Sequence, residues 1–194
     1  MIQSLNIGEY QFPNNLIQGP LAGISCSPFR LLTHRFSEPA YTCTEMISCK
    51  TLINTDIKHQ QRFVDIHPDE GPVCFQLSAN NPQELALATR MATDFGASII
   101  DLNCGCPVKK IRSKGAGSRL LSDGGKLAQM IAAMKQNTHL PVTIKIRVDG
   151  HSQERFNHEI ARVIADSELD ALVVHVRHWT ERYETACHTE QIKF

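Results

Sequence analysis

The stretch Ile99-Ile-Asp-Leu-Asn-Cys-Gly-Cys-Pro107 decides how this sequence folds. Its near-continuous apolar run is typical of a parallel strand that is covered on both faces. Pro107 cannot donate to a strand ladder, so the strand should end before it and leave Cys106 at the rim of the sheet. The chain then continues into Val108-Lys-Lys-Ile-Arg-Ser-Lys-Gly-Ala-Gly117, a basic loop. A thiol beside clustered cations favours chemistry on a polyanion.

Strand-like and helix-like segments alternate along the rest of the chain. A small hairpin is predicted first, over residues 5–12, with its turn at Gly8 and Glu9. Between two later strands, Asn81 and Pro82 are typical of a helix start, and Gly96 is typical of a helix end. Alternation of this kind favours a parallel sheet with helical crossovers. The predicted strands cover residues 16–18, 41–46, 73–77, 99–103, 142–147 and 171–177.

The choice between a doubly wound sheet and a barrel depends on where the polar residues fall. A barrel places its active site at the C-terminal ends of its strands. A doubly wound sheet has a glycine-rich phosphate loop after its first strand, and Gly19-Pro-Leu-Ala-Gly23 does not have that pattern. The sequence therefore predicts an α/β fold, a TIM (β/α)8-type barrel with about six of its eight units, preceded by a β-hairpin. The polar residues at the predicted strand ends are Glu45, Gln76, Asn103, Lys145 and His175.

Composition narrows the class of protein. The 194 residues are 42% hydrophobic, enough for a sizeable core in one domain, which we place over residues 1–194. The 20 basic and 20 acidic side chains cancel, which excludes a strongly basic nucleic-acid-binding field and leaves local patches for RNA contact. Seven cysteines, several within apolar runs, favour reduced thiols in a cytoplasmic protein. Neither a signal peptide nor an apolar run of roughly 20 residues is seen, so no membrane partner is expected.

Cys106 has several interpretations on residue type alone: proton donor, nucleophile, metal ligand or buried structural thiol. Cys104-Gly-Cys106 lacks the C-x2-C spacing of zinc and thioredoxin motifs, and no second ligand pair follows, so no metal site is predicted. A thiol is mostly protonated at neutral pH, which suits a proton donor. A site role and a structural role stay equally open for Cys106, whereas Cys104 is predicted to be structural.

Three polar residues within the predicted strands each have a functional and an ordinary explanation. Lys145 is expected in the barrel mouth beside an anionic partner, because an unpaired buried charge is costly. Alternatively, its long stem reaches solvent. His175 has the same geometry and is equally explained as a satisfied core histidine. Gln76 can bind the edge of a cofactor ring or hydrogen-bond a neighbouring strand.

The loop after Cys106 carries five cations between Lys109 and Arg119, around Gly115 and Gly117. A solvated run of charge is the commoner meaning of such a loop. Its position directly after the thiol makes phosphate contact an equally good explanation.

Together these motifs resemble the tRNA-dihydrouridine synthase family, in particular its B type, over essentially the whole chain. Asn103-Cys-Gly-Cys-Pro107 with Lys109-Lys110 resembles N-x-G-C-P-x-K-K and is the most specific element. The other matching stretches are Pro20-Leu-Ala-Gly23 and Pro28-Phe-Arg30 with P-M-A-G and P-F-R, Glu45-Met46 with S-E-M, Gln76 with V-Q-I, Lys145-Ile-Arg147 with K-I-R, and His175 with the histidine of H-G-R.

The resemblance implies an FMN enzyme that reduces the C5–C6 bond of uridine in tRNA with NADPH. It implies that Cys106 is catalytic and gives a proton to C5, and that Lys145 favours the anionic reduced flavin. The implied cofactor-binding residues are Pro20, Leu21, Ala22, Gln76, Lys145 and His175. The implied substrate and RNA-binding residues are Asn103, Lys109, Lys110, Arg112 and Lys114.

Two departures from the family pattern modify these expectations. His175-Val-Arg-His-Trp179 replaces H-G-R-T and places bulk where the family has glycine. A complete barrel needs about 250 residues, and the N-G-D and G-R motifs of the family's last two strands do not occur here. Nor does its C-terminal helical tRNA-binding domain. We therefore expect impaired activity, missing FMN phosphate contacts, and self-association through open sheet edges.

Two other functions are consistent with the same residues. One is an FMN-dependent reductase of free pyrimidines or of dihydroorotate, which also uses a cysteine on a barrel strand. The other is a catalytically silent fragment that serves as a scaffold or an RNA-binding piece.

Overall fold

The computed structural model describes residues 2–148 and 158–192, in which strands and helices alternate. The strands are β1 (Leu5–Ile7), β2 (Tyr10–Phe12), β3 (Ile17–Gln18), β4 (Tyr41–Cys43), β5 (Ile47–Ser48), β6 (Val73–Ser78), β7 (Ile99–Cys104), β8 (Val142–Arg147) and β9 (Ala171–His175). The helices are α1 (Ser27–Ser37), α2 (Cys49–Asn54), α3 (Gln61–Val64), α4 (Pro82–Asp94), α5 (Lys109–Arg112), α6 (Gly124–Lys135) and α7 (His158–Ala165). Short 3-10 helices lie at Ile57–His59, Pro68–Glu70, Gly117–Ser122 and Thr189–Ile192.

The larger sheet is parallel throughout. β3, β4, β6, β7, β8 and β9 are neighbours in the order in which they occur along the chain, and β5 pairs with β6 beyond the end of β4. A sequential order excludes the doubly wound alternative, whose strand order reverses at a switch point. The sheet curls into a half-barrel, which confirms the predicted fold class.

Two predicted strands differ from those in the structure. The predicted strand 41–46 divides into β4 and β5. The ladder is interrupted because the Gln76 backbone N–H donates to the Thr44 hydroxyl at 3.1 Å and not to a backbone carbonyl of the neighbouring strand. The predicted strand 171–177 ends at His175, because the Arg177 N–H turns back to the His175 carbonyl at 2.8 Å. The remaining predicted strands agree within about one residue at each end.

The helices cover the outer face of the sheet. α2 packs on α4, α4 on α6, and α6 on α7. Their apolar residues form one continuous core with the outward-facing residues of the strands, as Leu85 and Met130 do with Leu102 and Ile144. Burial of such side chains is the main stabilising contribution, about 1.5–3 kcal/mol for each. Toward the C-terminal ends of the strands, the inner face carries polar side chains such as Gln76, Asn103 and Lys145.

Helix α4 begins and ends where the sequence predicts. The Asn81 side chain accepts the N–H groups of Gln83 and Glu84 at 2.8 and 3.0 Å, so it caps the helix. Gly96 follows the helix with φ at +91°, a conformation that glycine adopts without strain. This helix therefore runs along β6 and β7 and supports both strands from outside.

The hairpin of β1 and β2 closes the N-terminal end of the half-barrel. Ile7 and Phe12 are buried there against residues that begin the strands, and the rings of Phe12 and Tyr41 lie 5.7 Å apart. Gly8 turns the hairpin with φ at +55°. With this end covered, the polar strand ends open on the opposite side. Among the described helices, none has the length and apolar character needed to cross a bilayer.

Candidate active site

A cavity of about 470 Å³ opens at the C-terminal ends of the strands. Cys106, Asn103 and every predicted cofactor-binding residue line it, so the structure brings together residues spread over most of the chain. Their roles remain predictions. The lining residues that sequence reasoning did not select are Ile24, Met46, Gly105, Pro107, Val108, Arg147 and Tyr183.

Hydrogen bonds within the loop, and from the loop to Glu45 and Arg62, hold the segment that contains Pro20, Leu21 and Ala22. Ser25 is buried, and its hydroxyl accepts from the Leu21 N–H at 3.0 Å. The buried Glu45 carboxylate accepts from the Gly23 N–H and, at 2.8 Å, from Arg62 Nε. Arg62 donates in turn to the Gly23 carbonyl at 3.1 Å. These bonds hold one wall of the cavity in place.

A second anchor of the same loop is the buried ion pair between Arg30 and Glu70. Arg30 Nε donates to Glu70 Oε2 at 2.7 Å, and both side chains are fully buried. Arg30 also donates to the Ser25 carbonyl at 2.9 Å and to the Asp65 carbonyl at 2.6 Å. Because both charges are satisfied, the pair joins α1, the cavity loop and the 3-10 helix at Pro68–Glu70 into one unit.

The turn that carries Cys106 is held by side chains on both sides of it. Asn103 Oδ1 accepts from the Cys106 N–H at 2.9 Å and from the Gly105 N–H at 3.2 Å. The Cys106 carbonyl accepts from the N–H and the hydroxyl of Ser118, each at 3.1 Å. A Cβ at Gly117 would lie 2.8 Å from the Cys106 carbonyl oxygen, and φ there is +60°, so glycine is required.

The two neighbouring cysteines have different environments. Cys106 is half-buried and lines the cavity. Cys104 is fully buried in the core on the other face of the sheet, and burial raises the pKa of its thiol. Of the pair, Cys106 is therefore the thiol that a ligand in the cavity can reach.

Lys145 places a cation in the cavity. It is half-buried, and no described residue accepts a hydrogen bond from its ammonium group. Burial lowers the pKa of Lys145, and the neighbouring Asp101 carboxylate opposes that effect. A charge in this position is stabilised when an anionic or carbonyl group enters the cavity.

His175 is a neutral group at the cavity wall. Burial, together with Arg147, Lys145 and Arg177, lowers the pKa of His175 to about 4. Arg177 lies 3.2 Å from its Nε2, and a guanidinium can only donate, so Nε2 accepts and Nδ1 carries the proton. The His175 ring stacks on Tyr183 with their centroids 5.9 Å apart. The imidazole is therefore oriented as a neutral hydrogen-bond donor.

Arg147 was missed by sequence reasoning because the K-I-R motif alone does not show its partners. Its Nε donates to the Gly105 carbonyl at 2.9 Å, and its Nη1 donates to the His178 carbonyl at 3.2 Å. It thus joins the turn of Cys106 to the loop that follows β9. Burial lowers the pKa of Arg147, which nevertheless stays charged.

The predicted RNA-binding cations lie outside the cavity, on and after α5. Lys109, Lys110 and Lys114 are exposed. Arg112 differs, because its guanidinium lies over the Trp179 ring, 3.1 Å from the ring centroid, and its Nε is buried without a hydrogen-bond partner among the described residues. Burial lowers the pKa of Arg112. Arg112 therefore fastens the basic loop to the bulky segment after β9.

Fold and site together define a half-barrel protein with a ligand cavity at the C-terminal ends of its strands, the position at which barrel enzymes place their active sites. The profile of the dihydrouridine synthase (Dus) family matches residues 17–193. The chain therefore belongs to the dihydrouridine synthase family of enzymes, and the relatives described next are of the B type.

Curated relatives support this membership. The chain is 38% identical to tRNA-dihydrouridine synthase B of Pectobacterium carotovorum over 174 residues, which are 89% of this chain and 53% of the relative. It is 37% identical to the synthase B of Escherichia coli strain K12, again over 174 residues, 89% of this chain and 53% of the relative. It is 34% identical to that of Pseudomonas aeruginosa over 188 residues, 97% of this chain and 56% of the relative. The chain thus spans about half the length of these relatives.

A solved structure supports the fold alone. Histamine dehydrogenase from Rhizobium sp. 4-9 superposes with a TM-score of 0.55 at 11% identity, over 74% of this chain and 33% of that one.

Proposed function

We propose that this chain supplies the catalytic face of an FMN-dependent tRNA-dihydrouridine synthase, which reduces uridine to 5,6-dihydrouridine in tRNA with NADPH. Family membership supports the reaction class. The observation that carries the proposal is the convergence of Cys106, Lys145 and His175 on one cavity that the loop residues Pro20, Leu21 and Ala22 also line.

The residues present fit a flavin. The ammonium group of Lys145 has no described acceptor, and the pyrimidine edge of a flavin offers carbonyl oxygens and, when reduced, a negative charge. His175 presents a neutral donor beside it. Pro20, Leu21 and Ala22, which line the same cavity, would also contact the ring. When bound, reduced FMN supplies the hydride.

Gln76 is expected to act through its neighbours. Its Nε2 donates to Asp101 and its Oε1 accepts from Asn103, each at 2.8 Å, so both ends of the amide are engaged by the adjacent strand. Of the two explanations from sequence, the neighbouring strand is the one for which the structure shows contacts. Gln76 still lines the cavity floor, where a cofactor ring would lie on it.

Cys106 is the proposed acid. Hydride addition at C6 of the uracil ring leaves negative charge shared between C5 and the oxygen of the adjacent C4 carbonyl, and transfer of the Cys106 thiol proton to C5 completes the reduction and leaves a thiolate. The thiol is accessible in the cavity, and its turn is fixed by Asn103 and Ser118. Cys104 cannot take this part, because it lies buried on the other face of the sheet.

tRNA is the proposed polymeric partner. The target base must leave its stack to enter a barrel mouth. The exposed Lys109, Lys110 and Lys114 lie directly after the turn of Cys106, where they would meet the backbone phosphates that flank the base. This basic patch favours tRNA over a free pyrimidine as the substrate.

A chimera tests the proposal. Residues 17–193 replace the matching segment of the Escherichia coli synthase B, and dihydrouridine formed in unmodified tRNA is measured by mass spectrometry with FMN and NADPH. We expect activity on tRNA and none on free uracil. Cys106→Ala should slow uridine reduction by about 10²-fold or more while NADPH still reduces the flavin. Cys104→Ala is the matched control and should have a small effect.

Three outcomes separate this proposal from its alternatives. Turnover of free uracil without turnover of tRNA would indicate a free-pyrimidine reductase. A folded chimera that binds FMN and tRNA but forms no dihydrouridine would indicate a silent segment. Equal and small effects of the two cysteine substitutions would contradict the assignment of Cys106.

A further inference from the structure

A chain of hydrogen bonds crosses the inner face of the sheet and ends at the turn of Cys106. Gln76, Asp101 and Thr143 are direct register partners on β6, β7 and β8, so their side chains meet in one layer. The Thr143 hydroxyl donates to Asp101 Oδ1 at 2.7 Å, and Gln76 Nε2 donates to Asp101 Oδ2 at 2.8 Å. Asp101 is buried and is not part of the cavity lining, so these hydrogen bonds are shielded from solvent.

Asp101 sets the donor and acceptor direction along this series of hydrogen bonds. An ionised carboxylate only accepts hydrogen bonds, so the Gln76 amide must turn its nitrogen toward Asp101. Gln76 Oε1 is then directed at Asn103 and accepts from Asn103 Nδ2 at 2.8 Å. Asn103 consequently turns its Oδ1 to the backbone, where it accepts from the Gly105 and Cys106 N–H groups.

We propose that Asp101 is a positioning residue for the proposed acid: its carboxylate orients the amides of Gln76 and Asn103 in sequence and thereby holds the backbone turn of Cys106. Asp101 is not among the residues that line the cavity. It acts through the amides of Gln76 and Asn103. If either amide were rotated by 180°, it would turn an NH2 group, and not an oxygen, toward the next donor in the series. This inference rests on the proposed function only in treating Cys106 as the acid.

The charge state of Asp101 is consistent with its role as a positioning residue. Burial raises its pKa to about 6, and the hydrogen bonds from Thr143 and Gln76, together with the Lys145 cation, oppose that increase. The carboxylate is therefore the main form at neutral pH. Asp101 also interacts electrostatically with Tyr41 and Cys74 and, across the sheet, with Cys104; the pKa values of these three buried groups are all raised, so they are neutral.

The test measures amide hydrogen exchange at Gly105 and Cys106 by NMR in the ¹⁵N-labelled chain at neutral pH, without flavin or tRNA. In the unsubstituted chain both N–H groups should be protected. Asp101→Leu removes the acceptor, leaves the Gln76 amide without a set direction, and should accelerate exchange at both positions by about tenfold. The core amides of Leu102 and Ile144 report any global loss of stability, which would affect all positions equally.

Two further variants separate orientation from mere loss of a hydrogen bond. Thr143→Val removes a hydrogen bond from the same carboxylate but leaves Gln76 directed at it, so protection at Gly105 and Cys106 should be kept. The double variant Asp101→Asn with Gln76→Glu transfers the carboxylate from β7 to β6. The carboxylate at position 76 then accepts from the amide at position 101 and from Asn103, and protection should return to within about twofold of the original.

The outcomes decide the proposal independently of the reaction. Unprotected Gly105 and Cys106 amides in the unsubstituted chain would overturn it, as would unchanged exchange in folded Asp101→Leu. Should Asp101→Leu fail to fold, the double variant decides alone: native protection supports the proposal, and loss of protection or of folding overturns it. The exchange measurement uses neither cofactor nor substrate. Its result can therefore be interpreted even if the chimera fails to reduce uridine.

Discussion

Removing the charge of Glu70 should destabilise the chain by several kcal/mol, although the residue lies outside the cavity. Glu70 accepts from Arg30 Nε at 2.7 Å, from the His67 N–H at 2.8 Å and from the Ser27 hydroxyl. Glu70→Gln keeps the volume but replaces one accepting oxygen by a donor and leaves the fully buried guanidinium without its countercharge. Breaking one side of a buried ion pair costs about 3–5 kcal/mol.

Urea unfolding followed by circular dichroism measures this cost. With a slope of about 2–3 kcal/mol per M, the midpoint should fall by about 1–2.5 M. Asp69→Asn is the matched control, because Asp69 belongs to the same 3-10 helix, its side chain is 71% exposed, and it lies 3.8 Å from His67. An exposed pair of this kind contributes at most about 1 kcal/mol. A midpoint shift for Glu70→Gln no larger than that for Asp69→Asn would refute the reasoning.

Three further predictions concern the cations, the histidine and the sheet edges. Lys109→Ala with Lys110→Ala should weaken tRNA binding by the chimera and flatten its salt dependence, without affecting flavin reduction by NADPH; unchanged affinity across a salt series would make these lysines an ordinary solvated surface. The folded pKa of His175, about 4, lies below the unfolded value of about 6.5, so its contribution to stability is complete above 6.5 and is lost as the pH falls toward 4. The decline in unfolding free energy over that interval should be shallower in His175→Gln, and an identical pH dependence would count against the assignment. A polypeptide of this sequence should bind FMN weakly and self-associate through the edges at β3 and β9; a monomer that keeps one FMN through gel filtration would contradict both expectations.

Much of the fold was predictable because its determinants are local. The apolar runs that form β6, β7 and β8 differ from the helical segments in length and period, and Asn81 and Gly96 mark both ends of α4. Parallel strands place their C-terminal ends on one side. Four of the five polar residues at the predicted strand ends, Gln76, Asn103, Lys145 and His175, could therefore be assigned to a common cavity before any contact was known. Glu45, the fifth, is instead bonded to the Gly23 N–H and to Arg62.

What sequence reasoning missed depends on partners that are distant along the chain. Arg30 and Glu70 are 40 residues apart, and neither has a local pattern that predicts the other. The contact of the Arg112 guanidinium with the Trp179 ring has no local signal either, because the segment after β9 meets the basic loop only in the folded chain. The interruption between β4 and β5 likewise depends on a hydroxyl of Thr44 that meets a neighbouring strand.

The sequence by itself determined the order of elements, the parallel sheet and which residue types would gather at its C-terminal end, because periodicity and strand direction are properties of short segments. Only the tertiary structure decided which of those residues face the cavity unpaired, as Lys145 does, and which are engaged by a neighbouring strand, as Gln76 is. The reason is physical: a hydrogen bond needs its partner within about 3 Å. For Gln76, Asp101 and Asn103, that proximity is created by strand register after the chain has folded.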